Sequence, residues 1–256
     1  MLNTDTYAYA SQLKAIDPMQ KFIIAILTMG VSLWADNRLI SITIIMIMSG
    51  ITIIRGGTPL TFFLKLMSIP MVFLIIGALT IAIGFSAKQQ SFIIAIPLAD
   101  FWLGITQTGL QQSIDLFLRA LGSVSCLYFL ALSTPMVDLF SVLRKLRLPK
   151  LMIEMMGLIY RFIFVLLETA GTIFTAQSSR LGYVNLVSGY RSMGSLVSTL
   201  FIRAYKRSNE LYTSLEARGY DGEIRVLEEP HVGNKSLLAI AVGMNGILIF
   251  LAMALR

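Results

Sequence analysis

The stretch LMSIPMVFLIIGALTIAIGFSA, residues 66–87, decides the fold. It carries no charge, and a helix of about 20 such residues crosses the hydrocarbon core of a bilayer. Four further uncharged runs lie at 22–35, 39–54, 120–137 and 236–255. We therefore predict an all-α, polytopic membrane protein with about five transmembrane helices. The first two runs are short, so Lys21 is expected to snorkel beside the first one. A buried helical pair that does not fully cross is the alternative there.

The composition agrees with a lipid-covered surface. The chain of 256 residues is 56% hydrophobic and only 14% charged, whereas a soluble domain carries about 25% charged residues. The net charge of +7 would raise nucleic acid as a partner in a soluble protein. Here the basic residues cluster beside apolar spans and no zinc-finger or RNP-type motif is found, so no nucleic-acid partner is expected.

The distribution of positive charge predicts the topology. With five spans and an N-terminus inside, the cytoplasmic segments hold 17 of the 21 Lys and Arg residues. Basic residues concentrate on the cytoplasmic side of membrane proteins, which favours this orientation. The sequence predicts three parts: an N-terminal four-helix transmembrane part at 1–137, a cytoplasmic helical region at 138–234, and a C-terminal transmembrane helix at 235–256.

One apolar segment of the cytoplasmic region, residues 151–176, competes for a sixth span. Glu154, Arg161 and Glu168 recur in it every seven residues, so on a helix they share nearly one face. Three ionisable groups at the bilayer centre would cost about 2.5–3.5 kcal/mol each. We expect this helix to lie at the cytoplasmic interface or against other protein.

A long amphipathic helix is predicted at 190–216. Its apolar residues follow i, i+3, i+4, i+7 spacing, and the opposite face is charged. The apolar set is Met193, Leu196, Val197, Leu200, Phe201, Ala204, Tyr205, Leu211, Tyr212 and Leu215, and the charged set is Arg203, Lys206, Arg207 and Glu210. The helix ends at Arg218-Gly219, where glycine suits a left-handed C-terminal cap.

Two short arginine sites lie in the cytoplasmic region, each at the end of a predicted helix. They are Gln177-Ser178-Ser179-Arg180-Leu181-Gly182-Tyr183 and Glu216-Ala217-Arg218-Gly219-Tyr220-Asp221-Gly222. An arginine held at a rigid helix end can make two parallel hydrogen bonds to a carboxylate in a partner's groove. The alternative is that both arginines only bond the last carbonyls of their own helices.

These motifs resemble the CbiQ/EcfT family, the transmembrane T components of energy-coupling factor transporters, and are most similar to its cobalt/nickel branch. The resemblance covers nearly the whole chain. It rests on Asp17-Pro18 with Lys21, Ser133-Thr134-Pro135, Leu143-Arg144-Lys145-Leu146-Arg147-Leu148-Pro149, Tyr160-Arg161-Phe162 with Glu168, and both arginine sites. The Ala217-Arg218-Gly219 form matches the family, whereas Ser179-Arg180-Leu181 departs from its usual Ala-Arg-Ser/Gly form.

The resemblance implies a scaffold and coupling subunit of an ATP-driven importer of cobalt, or nickel, in the bacterial inner membrane. Residues 138–234 are then a coupling insertion that binds a pair of ABC-type ATPases and a small substrate-binding membrane subunit. The implied ATPase contacts are Arg180 and Arg218, with Ser179, Ala217 and Gly219 beside them. Pro135, Pro149, Arg161 and Glu168 are the implied scaffold residues.

No catalytic set is visible in the sequence. No phosphate-binding Gly-x-x-x-x-Gly-Lys-Ser/Thr motif occurs, so ATP is expected to be used by a partner and no cofactor by this chain. His231 is the sole histidine and Cys126 the sole cysteine, too few for a dedicated metal site. A stand-alone ion-coupled secondary transporter, using Asp115 and Arg119, remains the alternative function. A membrane-bound enzyme is a third, less supported one.

Overall fold

A computed structural model describes residues 3–35, 37–86, 92–98, 101–220 and 235–254. The chain divides into two compact units: a membrane unit of residues 2–139 and 230–256, and an insertion unit of residues 140–229. The functional division at 137/138 and 234/235 stays a prediction from the sequence.

Helices make up most of the described chain. They are α1 (Asn3–Ala10), a 3₁₀ helix (Gln12–Ala15), α2 (Pro18–Trp34), α3 (Arg38–Gly50) with a π-helical continuation (Ile51–Arg55), α4 (Leu60–Ala82), α5 (Gln107–Ser133), α6 (Met136–Lys145), α7 (Lys150–Ser179), α8 (Leu186–Ala217) and α9 (Lys235–Ala254). This confirms the all-α class of a polytopic membrane protein.

Five apolar helices occupy the places of the five predicted spans. Arg38–Arg55, α4 and α5 have 18, 23 and 27 residues and are long and apolar enough to cross a membrane. The shorter apolar helices are α2 and residues 238–254 of α9. Helix α7 is not among the three long apolar helices, and its position outside the bilayer stays a prediction.

The third span does not have the predicted limits of 66–87. Helix α4 begins at Leu60, directly after Pro59, and ends at Ala82. The charge of Lys65 interrupts the apolar run without interrupting the helix, because the side chain is exposed. Residues 83–86 of the run belong to a strand instead.

A small antiparallel sheet, which the sequence analysis did not predict, connects α4 to α5. It consists of β1 (Ile83–Ser86), β2 (Phe92–Leu98) and β3 (Phe101–Thr106), in the spatial order β1-β3-β2. Proline is tolerated in an edge strand because the missing N–H faces away from the ladder, and Pro97 lies in β2, an edge of the three described strands. In the predicted topology this sheet lies on the outer side.

Helix α5 is the centre of the membrane unit, where it packs against α2, α3 and α4. Its contact with α2 is close, because a Cβ atom on Gly122 would lie 2.6 Å from Oγ of Ser32. Ser41 and Ser125 are also buried in this bundle. Small residues of this kind let membrane helices approach closely.

A buried polar contact joins α9 to α2. Asn245 donates through Nδ2 to Oγ1 of Thr28 at 3.1 Å, and both side chains are buried. Interhelical hydrogen bonds of this kind supplement packing within a bilayer. The contact therefore fixes the C-terminal helix on the N-terminal four-helix part.

Asp115 forms an ion pair with Arg38 of α3, where Nε donates to Oδ1 and Nη2 donates to Oδ2 at 3.4 Å. The side chain of Arg38 is 46% exposed and that of Asp115 is 33% exposed. The i, i+4 spacing of Asp115 and Arg119 in the sequence predicts a pair within one helix. The observed pair instead ties two helices at an exposed position.

Lys21 is a buried anchor rather than a snorkelling side chain. It is 2% exposed, and Nζ donates hydrogen bonds to the carbonyl oxygens of Leu13 (3.2 Å) and Ser133 (2.9 Å). The carboxylates of Asp17 and Asp138 attract its charge. Lys21 therefore connects the 3₁₀ helix, α2 and the end of α5 just before α6 begins.

Candidate functional site

The insertion unit is built around α7 and α8. Pro149 occupies the N-cap position of α7, where its fixed φ suits a helix start. Asn185 caps α8, because its Oδ1 accepts the backbone N–H of Ser188 at 2.7 Å. The short turn between the two helices brings the end of α7 to the start of α8.

Helix α7 ends in a Schellman motif that contains Arg180. The N–H of Gly182 donates to the carbonyl of Gln177 at 2.9 Å, and the N–H of Leu181 donates to that of Ser178 at 3.0 Å. Arg180 is the C-cap, and Leu181 has a left-handed φ of 61°. We call residues 177–182 the first arginine cap.

Helix α8 ends in the same motif. The N–H of Tyr220 donates to the carbonyl of Leu215, and the N–H of Gly219 donates to that of Glu216, both at 3.0 Å. Arg218 is the C-cap, and Gly219 has a φ of +74°, as the sequence predicts. Residues 215–220 form the second arginine cap, so the two arginines occupy equivalent positions.

The guanidinium groups of Arg180 and Arg218 are exposed on these caps. Neither group has an ion pair or side-chain hydrogen bond with another described residue. The last carbonyls of both helices accept backbone N–H groups of the Schellman motifs instead. The alternative role, in which each arginine only bonds its own helix end, is therefore not seen among the described contacts.

Two of the other predicted site residues flank Arg180 and Arg218. Ser179 is the last residue of α7 and donates through Oγ to the carbonyl of Thr175 at 3.0 Å. Ala217 is the exposed last residue of α8. The chain therefore presents each arginine directly after a small, exposed residue.

The predicted scaffold residues are distributed along the chain rather than gathered at the caps. Pro135 is buried directly before α6, and Pro149 begins α7. Arg161 and Glu168 are exposed along α7, so the structure does not bring them to either arginine cap. Their functional roles stay predictions.

The apolar face predicted for α8 is divided between packing and exposure. Leu196 is 8% exposed, and Leu200 and Ala204 are partly buried. A second row remains exposed along the helix, and we call it the α8 stripe: Tyr190, Met193, Val197, Phe201, Tyr205 and Tyr212. Spacing of three or four residues keeps most of this row on one side of the helix.

A groove opens beside the first arginine cap at the turn from α7 to α8. Its volume is about 850 Å³, and its walls include Tyr183, Val184, Leu186 and Val187. Most of its lining is apolar and exposed, with Leu186 at 83%. An exposed apolar surface therefore begins three residues after Arg180 in the chain.

The structure brings together residues to which the sequence analysis gave no role. Tyr183 donates through its OH to Oε1 of Gln177 at 2.7 Å, and Tyr220 donates to Oε2 of Glu154 at 3.0 Å. The recurrence of Gly-Tyr after each arginine in the sequence was the available signal. Spacing along the chain could not indicate the partners.

Some predicted elements lie outside the described residues, namely Asp221 and Gly222 of the second motif and His231. Cys126 is buried in α5. In the part of the chain that the structure describes, no three His, Cys, Asp or Glu side chains gather as a metal site would require. The described insertion unit presents exposed arginines and exposed apolar side chains.

The family called CbiQ, cobalt transport protein, matches residues 10–229. This chain belongs to the CbiQ family. It is 30% identical to the cobalt transport protein CbiQ of Salmonella typhimurium, over 88% of this chain and all of that protein. It is 33% identical to a putative fused cobalt transport protein CbiMQ of Methanocorpusculum labreanum, over 92% of this chain and 39% of the relative. It is 29% identical to the energy-coupling factor transporter transmembrane protein EcfT of Ruminiclostridium cellulolyticum, over 83% and 80%.

Membership of the CbiQ family confirms the resemblance stated from the motifs. The family match and the apolar helices together identify a membrane component of a transport system, which crosses the membrane several times. The match includes both arginine caps and all of α6, α7 and α8.

Two glycine substitutions, one within α8 and one in the cap that follows it, should have opposite effects on stability. Gly219→Ala places a side chain in the left-handed conformation and should cost about 1 kcal/mol. Gly194→Ala, in the helix interior with open space around its Cβ position, should instead stabilise by about 0.5–1 kcal/mol. Amide hydrogen exchange of residues 215–220 and of mid-α8 measures both effects. Equal exchange in the two variants would contradict the cap geometry.

Proposed function

We propose that this chain is the transmembrane scaffold and coupling subunit of an ATP-driven energy-coupling factor importer. It transmits the conformational change of a pair of ABC-type ATPases to a substrate-binding membrane subunit. The observation that carries the proposal is the pair of equivalent arginine caps with exposed guanidinium groups. The chain itself hydrolyses no ATP and binds no cofactor in this scheme.

The two arginine caps lie at opposite ends of α8. This helix has 32 residues, so at 1.5 Å per residue its ends are about 48 Å apart. One groove on one subunit cannot hold both arginines at that separation. Two copies of a similar groove can, which supports a pair of ATPase subunits as the partner.

An arginine on a capped helix end is suited to a carboxylate-lined groove. Its planar fork can make two parallel charge-assisted hydrogen bonds, and the cap limits the entropy lost on binding. Leu181, next to Arg180 in the chain, is 71% exposed, and an apolar groove begins at Tyr183, so a partner bound there would cover apolar side chains as well as the arginine. This arrangement matches an arginine anchor surrounded by apolar contacts.

The α8 stripe supports a second partner within or beside the membrane. Phe201 and Tyr190 are 72% and 81% exposed, and aromatic residues of this kind are enriched at binding surfaces. The fused relative joins CbiM and CbiQ in its name, and this chain aligns with 39% of its length. The remaining part of that relative is long enough to hold a second component. For the present transporter we assign that component to a separate membrane subunit.

Cobalt is the proposed substrate, with nickel as the alternative, and the inner membrane is the proposed location. The names of the family and of the Salmonella typhimurium relative support cobalt. This chain has one histidine and one cysteine, and transition-metal sites need several soft or imidazole ligands. We therefore assign the metal to the substrate-binding subunit.

Co-purification from native membranes tests the proposal. A tagged chain, solubilised gently, should retain an ABC-type ATPase and a small membrane protein, identified by mass spectrometry. The double variant Arg180→Glu/Arg218→Glu should lose the ATPase. The control Arg203→Glu/Arg207→Glu makes the same charge change at two exposed α8 positions and should retain it.

A different outcome would favour the alternative function. If the wild-type chain purifies alone and still moves Co²⁺ in proteoliposomes without ATP, it is a stand-alone carrier. Asp115 and Arg119, together with Arg38, would then be the first charges to investigate.

A further inference from the structure

We propose that Tyr183 and Tyr220 are positioning residues that lock the two arginine caps onto the α7/α8 pair. Displacement of either arginine by an ATPase is then delivered to both helices instead of being absorbed in a fraying helix end. This inference rests on the proposed function and deepens it.

The first anchor is a relay of side-chain hydrogen bonds. The OH of Tyr183 donates to Oε1 of Gln177 at 2.7 Å, and Nε2 of Gln177 donates to the carbonyl of Ser192 at 3.1 Å. Gln177 also provides the carbonyl that closes the first arginine cap. Gln177 therefore accepts the hydrogen bond of Tyr183, closes the first arginine cap through its carbonyl, and donates a hydrogen bond to α8.

Further contacts hold the same turn against α8. Ser188 and Ser192 both donate through Oγ to the carbonyl of Gly182, at 2.9 Å and 2.8 Å. The ring of Tyr183 packs on Phe174 with 4.8 Å between centroids. The backbone immediately after Arg180 is therefore fixed by both helices.

The second anchor connects opposite ends of the two helices. Tyr220 donates through its OH to Oε2 of Glu154 at 3.0 Å, and its backbone N–H closes the second arginine cap. Glu154 lies near the start of α7, whereas Tyr220 directly follows α8. The end of α8 that carries Arg218 is thereby tied to the start of α7.

A helix end without such anchors transmits an applied force poorly. Terminal turns open locally at little free-energy cost, so a force applied to a C-cap residue is first absorbed by unwinding of the last turn. The bond from Tyr220 to the carboxylate of Glu154 is charge-assisted, and such a hydrogen bond is stronger than one between two neutral groups. Each tyrosine lies two or three residues after its arginine, and its bond opposes this unwinding.

Tyr220→Phe tests the proposal, because it removes one oxygen and leaves the ring. In the full chain in nanodiscs, amide exchange of residues 216–220 should accelerate about fivefold, as expected for loss of one hydrogen bond. In the reconstituted transporter, ATPase binding should change less than about twofold, whereas Co²⁺ imported per ATP hydrolysed should fall about fivefold.

Matched variants separate the bond from general disturbance. Glu154→Gln keeps an acceptor oxygen and should retain most of the wild-type coupling, whereas Glu154→Ala should lose at least as much coupling as Tyr220→Phe, because Glu154 has further interactions. The double variant Tyr220→Phe/Glu154→Ala should be no worse than Glu154→Ala alone, because the bond between the two residues is already lost there. Thr213→Val removes an α8 hydroxyl that bonds only within its own helix, to the carbonyl of Asn209 at 3.0 Å, and should resemble wild type.

Each result decides the proposal. Unchanged exchange in Tyr220→Phe would overturn the anchoring, and faster exchange with unchanged import per ATP would overturn the transmission. Failure of the proposed function is recognisable separately, because the wild-type chain would then show no ATP-linked import in the first place. The exchange data would still decide whether the anchor holds the cap, but its role in transmission would be withdrawn.

Discussion

Replacing Arg218 with glutamate should abolish ATP-driven Co²⁺ import by the assembled transporter. The substitution puts a carboxylate where the partner groove is expected to present another carboxylate. Breaking a buried, hydrogen-bonded charge pair costs about 2–5 kcal/mol, which weakens ATPase binding at least about 30-fold. Uptake of radioactive cobalt by cells that express the whole transporter measures the effect.

Arg218→Lys distinguishes the planar fork from the charge alone. Lysine keeps the positive charge but cannot make two parallel bonds to one carboxylate, so its import rate should fall between those of wild type and Arg218→Glu. Arg203→Glu is the matched control on the same helix, because Arg203 is exposed and lies away from both arginine caps. Full import by Arg218→Glu would contradict the assignment of Arg218 as an ATPase contact.

The helices could be predicted from the sequence because uncharged runs and amphipathic patterns are properties of residues that are close together in the chain. Uncharged runs placed five apolar helices, and the amphipathic pattern of 190–216 lies within the observed α8. Helix limits were less accurate where local charge misled, as at Lys65. The strands at 83–106 were not predicted, because strand pairing depends on contacts between distant residues and their runs are too short to distinguish from helix ends.

The two arginine caps were predictable to different degrees. Glycine at 219 signals a left-handed cap, and the observed φ of +74° confirms it. Leu181 gives no such signal, because leucine disfavours the left-handed conformation, yet it has a φ of 61°. Hydrogen bonds from Ser188 and Ser192 to the carbonyl of Gly182 hold this turn, and the sequence pattern does not indicate them. The tyrosine anchors depend on Gln177 and Glu154, and only the folded chain reveals these partners.

Lys21 shows a different limit of the sequence reading. A lysine beside an apolar run was expected to reach water, but the folded chain offers its amine two backbone carbonyls and two carboxylates. The carbonyl of Ser133 is at the end of α5, immediately before the segment that begins the insertion unit. Lys21 therefore fixes the end of α5 to α2 and the 3₁₀ helix within the membrane unit.

Lys21→Met should destabilise the membrane unit by about 3–5 kcal/mol, the cost of leaving the partners of a buried charge unsatisfied. Methionine has a similar length and fills the apolar part of the site, so the loss is attributable to the missing amine. For a chain of this size we expect the apparent melting temperature to fall by about 6–20 °C. Fluorescence-detected size-exclusion chromatography after heating in detergent measures this change.

Two further variants test the charge balance around Lys21. Lys65→Met removes an exposed lysine and should change stability by less than about 0.5 kcal/mol. Lys21→Met/Asp138→Asn removes one of the carboxylates that attract the amine, so it should recover part of the loss caused by Lys21→Met. Because the carbonyls of Leu13 and Ser133 still lack their donor, recovery should be incomplete. Wild-type stability in Lys21→Met would mean that these contacts do not stabilise the membrane unit.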